Sequence, residues 1–217
     1  MRRADGRIGH EPKGVETGAP SRAALLKPAL RARLDALLDE GQEIWDRFDT
    51  EVRAHRFHPF VPSDYSRVLE VLLRLHRPGL RFLEWGSATG VITIMADLIG
   101  YEGYGIEIDP ELIDIARGLA GRFESGARFA SGSFLPTGYR YRPRKGDGRL
   151  GTIARGISAY PELQHPLEDF DVVFGYPWSG EEPIMHDLFR CHGRADARLV
   201  LQSATGVEAY LGGQLAG

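Results

Sequence analysis

Arg81-Phe82-Leu83-Glu84-Trp85 is a short apolar run that stops at the small-residue turn Gly86-Ser87-Ala88-Thr89-Gly90. Val91 to Leu98 then carry apolar residues at helical spacing, and Tyr104 to Ile108 form a second apolar run around Glu107. A strand, turn, helix and strand in this order leave few folds open. Two parallel strands need a crossover connection, the crossover is right-handed, and a ligand then sits at the carboxyl ends of the strands. A turn of small residues lets the backbone come close to that ligand, and Glu107 is placed to accept hydrogen bonds from a ribose.

Three nucleotide-binding designs share this layout. A phosphate-cradling loop ends in Gly-Lys-Ser/Thr, whereas Gly90 is followed by Val91 and Ile92, so that design does not fit. A dinucleotide loop prefers G-x-G-x-x-G with an acid about 20 residues on. Here Gly86 and Gly90 flank Ala88, and the third glycine is missing, although the distance to Glu107 suits it. An NAD(P)-dependent oxidoreductase therefore stays as an alternative. The third design holds a nucleoside without a pyrophosphate. The segment resembles the first motif of class I S-adenosylmethionine-dependent methyltransferases, an acid followed by x-G-x-G-x-G. Glu84, Gly86, Ala88 and Gly90 stand at those places, with Ala88 for the middle glycine.

That resemblance implies a Rossmann-like α/β fold and S-adenosylmethionine as cofactor. It implies that Glu84, Trp85, Gly86, Ser87, Ala88 and Gly90 build the cofactor loop, with Glu84 facing the methionine amino end through water or backbone. Glu107 would hold the ribose hydroxyls and Ile108 would lie against the adenine. The chemistry agrees. A sulfonium bearing an ammonium and a ribose wants acids beside its positive and hydroxyl groups, and no lysine. After the next strand, at Arg128 to Ser131, Ser133 stands where the family often places an Asp on the adenine amino group, and Phe134 could stack on the base.

The second strong motif is Asp171-Val172-Val173-Phe174-Gly175-Tyr176-Pro177-Trp178. It is similar to the D/N-P-P-Y/F/W motif of amino-group methyltransferases, which orients an NH2 group with a polar side chain and a backbone carbonyl. Pro177 and Trp178 match, while Gly175 and Tyr176 replace the first two residues. The resemblance makes Gly175, Tyr176, Pro177 and Trp178 the residues that position the methyl acceptor, through the Gly175 carbonyl and an aromatic wall suited to a cationic nitrogen. Glu181 and Glu182 either attract a basic acceptor or simply start the next helix, where acids are favoured.

Elsewhere the chain reads as alternating elements. Pro28 opens a helix with Leu30, Leu34, Leu37, Leu38, Ile44, Trp45 and Phe48 on one stripe. Ser63 is the expected cap of a helix running to about His76, and Asp109-Pro110 caps another. Further strands are expected at Phe170 to Phe174 and Arg198 to Gln202. Alternation of this kind implies a mostly parallel sheet with helices on both faces. About fifteen residues follow the fifth strand. The superfamily usually closes with two more strands, so either a shortened C-terminal end or a truncated chain is expected, with Val207 to Leu211 as one short strand. The organisation is a disordered tail over residues 1–20, a helical segment over 21–78, and the Rossmann-like domain over 79–217.

Within that domain, residues 136–168 form a basic loop with Tyr139, Arg140, Tyr141, Arg142, Arg144, Lys145, Arg149 and Arg155. It is either a solvated loop or a lid that engages an anionic substrate or nucleic acid. A net charge of −3 argues against a general nucleic-acid binder. His55 and His58 lack the Cys or carboxylate company of a metal centre, so no metal is expected. The lone Cys191, the lack of a long apolar run, and N-terminal arginines without a following apolar segment lead to an expected cytoplasmic location. The functional expectation is methyl transfer to an amine or other nucleophile, on a small molecule or a protein side chain. A non-catalytic nucleoside-cofactor-binding protein is the remaining rival. Neither the acceptor nor the oligomeric state is readable from the sequence.

Overall fold

The computed structural model describes residues 21–140, 151–153, 156–178 and 180–216. The tail expected over residues 1–20 lies outside them, as do Tyr141, Arg142, Arg144, Lys145, Arg149 and Arg155 of the basic loop. A 3-10 turn at Arg22–Leu25 leads into α1 (Pro28–Phe48), a π-helical turn at Asp49–Arg53 and α2 (Tyr65–Leu75). Then come β1 (Arg81–Trp85), α3 (Val91–Leu98), β2 (Glu102–Glu107), α4 (Pro110–Arg122) and β3 (Arg128–Ser131). The second half holds α5 (Tyr160–Leu163), β4 (Val172–Gly175), α6 (Glu182–His192), β5 (Arg198–Ser203), β6 (Gly206–Leu211) and β7 (Gln214–Leu215).

The seven strands form one sheet in the order β3-β2-β1-β4-β5-β6-β7. The first five are mutually parallel, while β6 runs antiparallel to β5 and β7 antiparallel to β6. From β1 the chain steps outward through β2 to β3, then returns to place β4 on the other side of β1. The strand order therefore reverses between β1 and β4, and a crevice opens there at the carboxyl ends.

Side chains alternate across the sheet, and that alternation fixes which helices cover which face. Phe82, Val172, Phe174 and Val200 pack with α1 to α4 on one face. Leu83, Trp85, Tyr104, Ile106, Val173, Leu199 and Leu201 pack with α5 and α6 on the other. The fold is thus a Rossmann-like, mostly parallel sheet with helices on both faces. On α1, Leu34, Leu37, Ile44 and Phe48 turn inward. Gly41 lets α1 approach α3 closely, since a Cβ there would lie 2.8 Å from a methyl of Val91.

Several expectations are revised. The cap of α2 is Asp64, not Ser63; its side chain accepts from the Arg67 amide at 3.1 Å. β2 starts at Glu102, because the Glu102 amide donates to the Leu80 carbonyl at 2.9 Å and extends the ladder. The C-terminal end has room for a hairpin after all. Only Ala204 and Thr205 separate β5 from β6, so pairing begins at once, with Ser203 opposite Gly206. Among the described residues no helix is long and apolar enough to cross a membrane.

Candidate functional site

The crevice at the strand-order reversal is a cleft of about 910 Å3. That is near the upper end for ligand pockets, with room for a nucleoside-sized molecule and a second ligand beside it. Of the residues singled out in the sequence, it brings together Glu84, Trp85, Gly86, Ser87, Ala88, Glu107, Ile108, Ser133, Phe134, Tyr176, Pro177 and Trp178. Gly90 and Gly175 are not on its wall. Gly90 starts α3 with φ +78°, and a Cβ there would lie 2.6 Å from the Phe129 ring. Gly175 is buried at the end of β4, between Trp85 of β1 and Leu201 of β5.

The loop itself is built by backbone contacts. The Gly86 and Ser87 amides both donate to the Ile106 carbonyl at 2.9 Å, which folds the chain back over β2. Ala88 takes φ +45°, a left-handed conformation that a Cβ disfavours by about 1–2 kcal/mol. Its methyl compensates by packing on the Phe48, Phe60 and Leu112 cluster. The substitution for glycine thus has a physical reason, a contact with the helical segment that glycine would lack.

Glu84 points to the α3 face of β1 and is only 5% exposed. One of its oxygens accepts from the Thr93 amide at 2.9 Å and from Thr93 Oγ1 at 2.6 Å. Glu84 therefore caps α3 and lines the cleft at the same time. Burial pushes its carboxyl up to about 8, since the two Thr93 bonds only partly offset lost hydration and Glu107 adds repulsion. Glu107 ends β2. One oxygen accepts from the Ala88 amide at 2.9 Å, and the other from Ile108 and Asp109 amides at 2.7 and 3.0 Å. Burial raises its carboxyl too, against those amides. The Tyr65 phenol, on the same wall, is raised by burial and by Glu84.

The helical segment supplies the opposite wall, which sequence spacing did not reveal. His58 accepts from the Phe60 amide through Nδ1 at 3.1 Å, so its Nε2 carries the proton and donates to Asp109 at 3.1 Å. Next to it, Phe60 packs edge to face on both Trp45 and Phe48. The Asp64 amide donates to the buried Gln202 at 3.0 Å, fixing the Pro62-Ser63 turn to β5. Phe134 lies flat on Trp85, with ring centroids 5.2 Å apart, and Trp85 donates to the Tyr160 hydroxyl at 3.0 Å. Ser133 pairs with Ser158 in a short parallel bridge.

On the remaining side stands the Tyr176-Pro177-Trp178 stretch. Trp178 meets Phe57 edge to face at 5.7 Å. The Tyr176 carbonyl accepts from Thr152 Oγ1 at 2.7 Å. Glu182 lines the cleft, whereas Glu181 turns away from it and is fully buried. Among the described lining residues Arg56 is the one Lys or Arg, against Glu84, Glu107, Asp109, Glu111 and Glu182. The described residues contain no cluster of His, Cys, Asp and Glu able to hold a metal ion.

No protein-family model matches the chain. In sequence it is 37% identical over 73 residues to a ribosomal protein L11 methyltransferase of Thermus thermophilus. The aligned stretch covers 32% of this chain and 29% of that relative, so the chain spans under a third of the relative's length. Among solved structures, an RNA methyltransferase from Salinibacter ruber in complex with S-adenosyl-L-homocysteine overlaps 65% of this chain and 76% of its own, with a TM-score of 0.46 and 19% identity. A ribosomal protein L11 methylase from Lactobacillus delbrueckii overlaps 63% of this chain and 57% of its own, with a TM-score of 0.41 and 15% identity. Over those 73 residues the chain is thus similar to a methyltransferase, its acid-and-glycine loop resembles the first motif of class I S-adenosylmethionine-dependent methyltransferases, and its sheet is Rossmann-like.

Proposed function

We propose that this protein binds S-adenosylmethionine at the Glu84–Gly90 loop and transfers its methyl group to a nucleophile presented from the Trp178 side. One observation carries the reading. Glu84, next to last in β1, and Glu107, last in β2, stand on adjacent parallel strands on either side of the loop, and both reach the same cleft. A pyrophosphate would instead need free amides at the start of α3, yet Glu84 already occupies the Thr93 amide. A carboxyl there denies a phosphate that amide and, once ionised beside a cation, suits the cation. This favours the sulfonium cofactor over NAD(P).

When bound, the cofactor supplies an electrophilic methyl on a positively charged sulfur. The protein's own work is positioning and exclusion of water. Glu107, held by three backbone amides, presents the remaining acceptor capacity of its carboxylate to a diol. Ile108 is exposed on the cleft wall, an apolar surface for a base. Phe134 has one face on Trp85 and stiffens that wall.

The acceptor side combines Tyr176, Trp178 and Glu182, and the described lining of the whole cleft sets five carboxyl residues against Arg56. Such a wall favours an amine over a carboxylate or phosphate acceptor. A protein side chain is supported by the relative named for ribosomal protein L11; a small amine fits the same chemistry.

Calorimetric titration with S-adenosylmethionine, S-adenosylhomocysteine and NAD(P), beside Glu107→Ala, tests the reading. Micromolar binding of both sulfur nucleosides, lost in the variant, is expected. A folded wild-type protein that binds neither would end the methyltransferase reading. NAD(P) binding would then favour an oxidoreductase.

A further inference from the structure

Glu181 is a fully buried carboxylate outside the cleft, and nothing in the cofactor loop accounts for it. A buried carboxylate is costly unless hydrogen bonds replace its hydration. Here the replacements come from two separate stretches of backbone. One oxygen accepts from the amides of Gly151, Thr152 and Ile153 at 2.7, 3.0 and 2.9 Å. The other accepts from the Trp178 amide at 2.8 Å and from Thr152 at 3.2 Å.

Those two stretches meet over the cleft. A Cβ on Gly86 would lie 3.0 Å from the Thr152 methyl, so Thr152 sits directly on the cofactor loop. A Cβ on Gly151 would lie within 2.6 Å of the Trp178 ring, so Gly151 lies flat against the indole. Thr152 also donates to the Tyr176 carbonyl. One carboxylate thus sets the distance between Gly86, Thr152 and the Tyr176–Trp178 stretch.

We infer that Glu181 is a positioning residue, which holds the Gly151–Ile153 turn and Trp178 in register over the cofactor loop and so defines the boundary between cofactor and acceptor subsites. This rests on the cofactor assignment above. Glu181 itself touches neither ligand; it acts through Thr152 and Trp178. Glu182, its neighbour, faces the cleft and has a separate part.

The test uses the full chain, with S-adenosylhomocysteine as probe. Glu181→Gln keeps the shape but leaves one acceptor oxygen where there were two. Its amide oxygen serves the three amides of the turn, and its NH2 then faces the Trp178 N–H, donor against donor. We expect a folded variant that releases S-adenosylhomocysteine at least about tenfold faster, the factor equivalent to one charge-assisted hydrogen bond. Hydrogen exchange read by NMR should show the Trp178 amide deprotected while Thr152 and Ile153 stay protected; Glu181→Ala should deprotect all three.

Thr152→Val cuts the other tie, to Tyr176, and should also speed release, which keeps the proposal testable if the Glu181 variants do not fold. Wild-type release rates in Glu181→Gln and Thr152→Val would overturn the proposal while leaving the cofactor assignment intact. A wild-type protein that does not bind the probe would overturn the assignment, and the proposal with it.

Discussion

Replacing Glu84 by Gln turns a buried carboxyl into an uncharged isostere, and the structure gives the effect both a sign and a size. Burial moves Glu84 from an ordinary 4.5 up to about 8. The unfolded chain releases this proton near 4.5, whereas the folded chain keeps it to about 8. Its favourable contribution is therefore complete below about 4.5 and is lost as the pH climbs to 8. Ionised and buried at pH 9, the group should cost about 3–5 kcal/mol. Glutamine still accepts from the Thr93 amide and hydroxyl but cannot ionise.

Urea unfolding of wild type and Glu84→Gln should then agree within about 1 kcal/mol at pH 5 and diverge in the variant's favour by about 3–5 kcal/mol at pH 9. A second assay reads the same proton. A cation seated beside Glu84 favours its ionised form, so S-adenosylmethionine should displace a proton at pH 7. Calorimetry in two buffers of different ionisation enthalpy would detect that release in the wild type and not in the variant. A stability gap that stays constant from pH 5 to 9 would refute the reasoning, as would equal proton release in both proteins.

Three further outcomes follow from the loop and the acceptor wall. Gly90→Ala forces a left-handed φ on a residue whose Cβ meets Phe129 and Ala116, and should cost about 2–4 kcal/mol in thermal unfolding. Ala88→Gly removes backbone strain of about 1 kcal/mol but also the contacts of a partly buried methyl, worth up to about the same, so its melting temperature should stay near wild type. Trp178→Ala keeps its backbone amide on Glu181 and should retain S-adenosylhomocysteine binding; once an acceptor is in hand, methyl transfer should be lost.

What the sequence made legible was local. β1, α3 and β3 fall where the apolar runs and glycines put them, and Asp109-Pro110 starts α4 because cap and first-turn preferences lie in adjacent residues. Legibility fails where two near-equivalent residues compete or where partners are remote. Ser63 and Asp64 are both good caps, and only the Arg67 amide decides between them. His58 meets Asp109 across 51 residues, and Glu181 meets the Gly151–Ile153 turn across about 28–30. No spacing rule reports such pairs, so Glu181 reads from sequence as an ordinary helix-start acid. The hairpin after β5 escapes a count of the remaining residues for a different reason: a two-residue turn needs almost no chain.

The shared cluster of Ala88, Phe48 and Phe60 ties the ligand loop to the helical segment, and the His58–Asp109 bond does so again one strand away. Docking of α1 and occupation of the loop are then two legs of one thermodynamic cycle, and their coupling must be equal in both directions. A ligand that stiffens Gly86–Gly90 tightens the grip on α1 by the same factor that a well-seated α1 tightens the grip on the ligand. If the loop holds the cofactor as proposed, any macromolecule that pulled α1 outward would weaken cofactor binding at a distance, without ever entering the cleft.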